Sequence, residues 1–230
     1  MEVVCFDLDD TLYKEIDYLK SAYKEIAVYA VTHGLVCSDS KSTLEVNAYK
    51  IMFDAYNHGE NAFERLNGFL GVDISKSKYL QIYREHEPDI RLSEDVVSTL
   101  DRLKARECTL GIITDGRSVQ QRSKINALEL DRWISNRDIV ISEEFGSEKP
   151  CFANYEYFMR QYPDCTKFIY VGDNPKKDFV APNILGWTTI CVKDDGRNVH
   201  SQEMEHLPLP YLPALNVSSL HSMIGFIDKL

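Results

Sequence analysis

No run of apolar residues in this sequence approaches the roughly 18 continuous positions that a membrane helix needs, so no membrane span is expected. There is no lysine- or arginine-rich block either. With a formal charge of -10, the chain has nothing general with which to neutralise a phosphate backbone, which argues against nucleic acid as a partner. The amino terminus shows no basic segment leading into an apolar stretch, so the sequon Asn216-Val217-Ser218 is expected to be an accidental match. The six cysteines, Cys5, Cys37, Cys108, Cys151, Cys165 and Cys191, include no Cys-x-x-Cys pair. They are expected to be buried thiols in a reduced, cytoplasmic protein. His200 and His206 have no third histidine or cysteine spaced to complete a metal site and read as solvated loop residues.

What is present is a chain of 230 residues, 44% apolar and 27% charged, enough for one large domain or a domain with an insertion. Its most telling stretch is Val3 to Leu12. Val3 to Phe6 is β-branched and aromatic on both alternating faces, which suits a strand in the middle of a parallel sheet. The run then stops at Asp7, Asp9, Asp10 and Thr11. Acids and hydroxyls there can cap a turn. Alternatively, Asp7 and Asp9, two apart on an extended chain, face one pocket while Asp10 faces away and stays out of it.

Between about 15 and 87 the period becomes helical. Ile16, Leu19, Tyr23, Ile26 and Ala30 recur at three and four, as do Leu44, Ala48, Ile51 and Ala55, with Phe63, Leu66 and Leu70 after them. Roughly four helices are predicted, their tyrosines and phenylalanines mostly core, with Tyr13, Tyr18 and Tyr23 as candidate pocket residues. From Ser93 helices alternate with strands: Thr109 to Thr114, Ile139 to Ser142, Lys167 to Gly172 and Trp187 to Val192. Helices are expected from Ser118 to Leu128, opening at Lys149-Pro150, and opening at Asn174-Pro175. A small edge strand from Ala214 and a helix from Ser218 close the chain. This alternation predicts an α/β fold, a Rossmann-like parallel sheet with helices on both faces.

Parallel strands present all their carboxyl ends on one edge, where ligands bind in open α/β sheets. Asp7, Asp9, Thr114, Asp173 and Asp178 therefore converge with Lys149 although they are scattered along the chain. Two carboxylates ~4 Å apart repel by about 4 kcal/mol at an effective dielectric of ~20. A cation is required, and oxygen ligands without histidine or thiolate describe Mg2+. Thr114, the backbone amides around Asp115 and Gly116, and Lys149 are suited to holding an anion. Lys176 and Lys177 read as solvated or paired with nearby acids.

Four segments in order, Asp7-Leu8-Asp9-Asp10-Thr11-Leu12, Thr114-Asp115-Gly116, Glu148-Lys149-Pro150 and Gly172-Asp173-Asn174-Pro175-Lys176-Lys177-Asp178, resemble the motifs of the haloacid dehalogenase superfamily, mostly phosphatases. The resemblance implies a catalytic core of 1–14 and 88–230 and an inserted all-helical cap domain at 15–87. It also implies a magnesium-dependent phosphatase acting on a small phosphorylated substrate, a nucleotide monophosphate or sugar phosphate. Asp7 would be the nucleophile that forms an aspartyl-phosphate, and Asp9 the acid and then the base. Asp7, the backbone carbonyl of Asp9, and Asp173 would bind magnesium, with Asp178 in direct or indirect support; Thr114 and Lys149 would hold the phosphoryl oxygens. A phosphomutase, a dehalogenase and a non-catalytic binding module remain alternatives on the same scaffold, and Asp9 counts against the dehalogenase.

Overall fold

A computed structural model describes residues 1–34 and 41–227. The chain forms two compact units, Met1–Ile16 with Arg91–Leu230, and Asp17–Ile90. The sequence places the divisions after 14 and before 88; the units divide after 16 and after 90.

The first unit is built on one six-stranded sheet of β1 (Glu2–Phe6), β2 (Thr109–Thr114), β3 (Ile139–Ile141), β4 (Lys167–Gly172), β5 (Thr188–Val192) and β6 (Leu215–Val217). The strands lie in the order β3-β2-β1-β4-β5-β6, and every neighbouring pair is parallel. β1 is central. Val3, Val4, Cys5 and Phe6 have no exposed surface, because both faces of the strand are covered. The sheet grows outward from β1 through β2 to β3 on one side, then resumes at β4 on the other, so the strand order reverses at β1. That reversal opens a crevice at the carboxyl ends of β1 and β4. The Asp7 amide donates to the Val171 carbonyl at 2.8 Å, carrying the ladder one residue past β1 and fixing where the Asp7 side chain begins.

The connecting helices include α5 (Glu94–Ala105), α6 (Ser118–Ala127), the single turn α7 (Ser142–Phe145), α8 (Phe152–Gln161), α9 (Val180–Ile184) and α10 (Leu220–Ile227). Ser93 caps α5, its Oγ accepting from the Val96 amide. Phe158 of α8 packs so close to β2 that a Cβ on Gly111 would come within 2.7 Å of its ring, so that strand position has room for glycine alone.

Two expected helix starts are displaced. Lys149-Pro150 is a cis peptide in a turn, and α8 begins only at Phe152 behind Cys151. Asn174-Pro175 opens a turn tied by the Asp178 amide to the Asn174 carbonyl, and α9 begins at Val180. Cys5, Cys108, Cys165 and Cys191 are buried free thiols, but Cys151 is exposed, since the turn before α8 lies at the surface; Cys37 lies outside the described residues.

The second unit contains the rest of α1 (Glu15–His33) with α2 (Lys41–Asn57), α3 (Ala62–Leu70) and α4 (Lys76–Glu85). Tyr18, Ala22, Ile26 and Ala30 form one buried stripe of α1, and Leu44, Ala48, Met52 and Ala55 one of α2. Tyr18 and Tyr79 are fully buried, and each hydroxyl is satisfied: Tyr18 donates to the Tyr83 carbonyl and Tyr79 to Asn67 Oδ1, both at 2.6 Å. Asn61 caps α3 through the Phe63 and Glu64 amides, and Gly71, at φ 65°, ends it. No helix among the described residues is long and apolar enough to cross a membrane.

Candidate active site

The strand ends bring Asp7, Lys149, Asp173 and Asp178 together. Lys149 Nζ lies 2.7 Å from Asp7 Oδ1 and 2.8 Å from Asp178 Oδ1, with almost no exposed surface. Its backbone amide donates to Asp115 Oδ1 at 2.9 Å, which fixes the turn that aims it. Asp178 is wholly buried, and its second oxygen accepts from the Asp173 and Asn174 amides at 3.0 and 2.8 Å. A Cβ on Gly172 would sit 2.7 Å from the Asp178 Cγ, so glycine at the end of β4 makes the space for this carboxylate.

One oxygen each from Asp7, Asp173 and Asp178 lies within 4.8 Å of the others. Burial, more than any neighbour, raises the Asp7 carboxyl to about 7, with Asp178 adding to the rise and Lys149 opposing it. Asp173 is pushed to about 9 by burial and then by Asp178 and Asp7. Burial also works against the charge of Lys149, but Asp178 and Asp7 outweigh it and hold the ammonium well above its ordinary value. A buried, all-oxygen donor set whose members resist ionising together fits a hard divalent cation, and this cluster fits magnesium on those grounds. Because both Asp178 oxygens already accept hydrogen bonds, Asp7 and Asp173 are the stronger candidates for direct ligation.

Asp9 points elsewhere. Its carboxylate is not in that cluster; Lys124 Nζ reaches its two oxygens at 2.7 and 2.9 Å, Gln121 Nε2 lies 3.0 Å from Oδ2, and the Tyr13 hydroxyl donates to Oδ1 at 2.5 Å. Burial would raise the Asp9 carboxyl, but Lys124 outweighs it and holds it below the ordinary carboxylate range. Gln121 Nε2 also donates to Thr114 Oγ1 at 2.7 Å. Neither Gln121 nor Lys124 stands out by sequence motif. The available signal is their i, i+3 spacing on the helix that follows Thr114-Asp115-Gly116.

The remaining expected residues take distinct positions. Besides the Lys149 amide, Asp115 accepts from Lys177 Nζ at 3.0 Å, so its side chain fastens the site's walls. The Gly116 amide donates to Ser142 Oγ at 3.0 Å, and an anion there would compete with that bond. α6 starts at Ser118, two residues beyond Gly116. Asp10 also borders the cleft lined by Asp7 and Asp9, but its carboxylate is occupied by the backbone, accepting from the Glu15 and Val199 amides at 2.9 and 2.8 Å. Of the candidate pocket tyrosines, Tyr13 touches Asp9, whereas Tyr18 is core and Tyr23 is buried in the helical unit. Asn198, also without a sequence signal, donates to Asp173 Oδ2 at 3.0 Å and accepts from Lys14 Nζ at 2.6 Å. Asp7, Asp9, Thr114, Lys149, Asp173 and His200 are among the residues that line a cleft of about 330 Å³.

The model of the haloacid dehalogenase-like hydrolases matches residues 4–192. The chain belongs to this family. It is 29% identical over 194 residues to the glyceraldehyde 3-phosphate phosphatase of Methanocaldococcus jannaschii, covering 82% of this chain and 83% of that protein. To the glyceraldehyde 3-phosphate phosphatase of Methanopyrus kandleri it is 24% identical, covering 100% of this chain and 98% of the other. Among solved structures, the magnesium-bound HAD-hydrolase YfnB of Bacillus subtilis superposes with a TM-score of 0.63 at 16% identity, over 99% of this chain and 98% of that one. A HAD phosphatase from Thermococcus onnurineus gives 0.60 at 18% identity with the same coverage. These structures share the fold. As a haloacid dehalogenase-like hydrolase with phosphatases as relatives, the chain is a phosphoric monoester hydrolase.

Proposed function

We propose that the protein is a magnesium-dependent phosphatase for a small phosphorylated metabolite, working through an aspartyl-phosphate on Asp7. The observation that carries this reading is the convergence of Asp7, Lys149, Asp173 and Asp178 on one buried edge, with Thr114 and Asp9 lining the same cleft. A cleft of about 330 Å³ is at the small end of ligand sites and suits a compact phosphorylated molecule. The names of the relatives narrow the first choice of substrate to glyceraldehyde 3-phosphate. The sequence alone suggests nucleotide monophosphates and sugar phosphates, which belong on the same panel. Residues 17–90 are read as the cap because they are inserted directly after the first motif. The buried free thiols suit a reducing compartment such as the cytoplasm.

In this mechanism Asp7 attacks phosphorus while Lys149, already against its carboxylate, offsets the charge that spreads over the phosphoryl oxygens. Thr114 Oγ1 donates to one of those oxygens. Asp9 gives a proton to the leaving oxygen, a proton it carries against the pull of Lys124, then takes one from the water that opens the aspartyl-phosphate. Bound at Asp7 and Asp173, magnesium would neutralise phosphoryl charge and set its orientation. Asp178 holds Lys149 and the Asp173 backbone in place.

The test is hydrolysis of p-nitrophenyl phosphate and of a panel headed by glyceraldehyde 3-phosphate, with and without magnesium, in wild type and Asp7→Asn. Magnesium-dependent turnover that falls by at least about a thousandfold in the variant is expected. No metal-dependent turnover on any ester would overturn the phosphatase reading, and equal rates in the variant would remove Asp7 from its role.

A further inference from the structure

Lys124 and Gln121 belong to none of the four motifs, yet both are about 1% exposed and both reach Asp9. An ammonium placed out of water is costly unless it is paired and hydrogen-bonded. Lys124 meets that cost by a two-oxygen contact with Asp9, at 2.7 and 2.9 Å. Asp9 itself follows β1 in a loop, joined to Tyr13 by an isolated bridge rather than by a longer ladder. The rotamer of this carboxylate is set instead by donors from two places in the chain, Tyr13 four residues on and the α6 pair Gln121 and Lys124.

The Gln121 amide adds a second constraint. One nitrogen donates both to Thr114 Oγ1, at 2.7 Å, and to Asp9 Oδ2, at 3.0 Å. The hydroxyl read as a phosphoryl ligand and the carboxylate read as acid and base are thus held at one nitrogen's reach from each other. Gln121 is itself pressed against the backbone: a Cβ on Gly116 would come within 3.2 Å of its side chain, so Gly116 leaves the space the amide occupies. Placement of the acid to within a fraction of an ångström matters, because misplacement by 1 Å can cost a hundredfold in rate.

From this geometry we infer that Lys124 and Gln121 are positioning residues for the reaction, aiming Asp9 at the leaving oxygen and keeping it in register with the phosphoryl group bound at Thr114. The inference rests on the reading of Asp9 as acid and base. Its signature is a dependence on the leaving group. An alkyl phosphate needs a proton delivered to its leaving oxygen, whereas p-nitrophenolate departs without one, and kcat/KM reports the steps up to transfer onto Asp7.

The experiment measures kcat/KM with magnesium for glyceraldehyde 3-phosphate, or the fastest alkyl phosphate of the panel if that is not turned over, and for p-nitrophenyl phosphate. The variants are Lys124→Met, Lys124→Arg and Gln121→Leu, with Asp9→Asn as reference and circular dichroism to confirm folding. Lys124→Met and Gln121→Leu are expected to lower the alkyl-to-aryl ratio by about tenfold, in the direction of Asp9→Asn, within the range that acid catalysis supplies. Lys124→Arg is expected to restore part of the ratio. If Lys124→Met does not fold, Lys124→Arg and Gln121→Leu carry the test alone. An unchanged ratio in folded variants, whether both esters slow equally or neither does, makes the pair a structural tie and overturns the inference. Wild-type protein inert on both esters fails the phosphatase reading instead, a distinct result.

Discussion

The two units of this chain bury polar groups in opposite ways. In the helical unit, the buried polar side chains among the described residues are Ser21 and His86, besides tyrosines such as Tyr18 and Tyr79. They serve the local backbone: Ser21 Oγ accepts from the Asp89 amide at 2.8 Å, and His86 Nδ1 lies 3.0 Å from the Tyr83 carbonyl. At the carboxyl edge of the sheet, the buried polar groups instead include Asp7, Lys124, Lys149, Asp173 and Asp178, ionisable and directed largely at one another or at Asp9. Neutral polar groups that satisfy the backbone stabilise a fold at little cost. Clustered charges do not, and they persist where a ligand completes them. One unit is thus organised for stability, and the other carries its unresolved electrostatics at a single edge.

The largest expected effect comes from removing the cation that joins the charged edge. Lys149→Met leaves Asp7 and Asp178 facing each other without their shared partner. Breaking such a buried pair costs about 3–5 kcal/mol, and losing the donor to the phosphoryl group lowers kcat by about 10²–10³. Urea unfolding and steady-state kinetics on p-nitrophenyl phosphate measure both. A variant with the wild-type midpoint and the wild-type rate would break the comparison. Leu66→Ala probes the other unit, where that side chain is fully buried. A loss of about 2–5 kcal/mol is expected, as for cavities of this kind, with kcat on the aryl ester little changed per folded molecule. Lost activity without lost stability would mean that the helical unit takes part in the chemistry.

The same contrast explains what the sequence made legible. β1 could be read because a central parallel strand is apolar on both faces, and Asp7, Thr114, Lys149 and Asp173 because each lies at the end of a strand or immediately before a proline that marks its place. The stripes of α1 and α2 were legible by period. Lys124 and Gln121 were not, since a lysine and a glutamine in mid-helix look solvated until the topology sets α6 against Asp9. Asn198 was hidden for a similar reason: it lies in a loop whose path depends on Asp194 gathering the amides of Gly196, Arg197 and Asn198. The helix starts assigned to Pro150 and Pro175 were misplaced because proline suits a turn as well as a first helical turn.

The last expected effect is in the pH dependence of stability, where the window below about pH 9 belongs to the sheet unit. In metal-free protein Asp7 and Asp173 titrate at about 7 and about 9, raised from 3.8 chiefly by burial, and Glu15 at about 8 for the same leading reason. The folded chain therefore holds protons that the unfolded chain releases. The stability these groups contribute is whole below about pH 4 and is lost as pH rises through 7 to 9, at most about 1.4 kcal/mol per pH unit for each proton. In the helical unit the raised groups are phenols, Tyr49 moved upward from 10 and Tyr23 and Tyr79 pushed to about 12, chiefly by burial, so their contribution is lost only above pH 10, a window that Tyr162 of the sheet unit, also at about 12, shares. Thermal melts in a chelator are expected to show Tm falling from pH 5 to pH 9, and magnesium is expected to flatten that slope without altering the loss above pH 10. A Tm that is level or rising across pH 5 to 9 in the chelator would show that the carboxylates at the sheet edge are not held protonated, and the contrast between the two units would lose its electrostatic half.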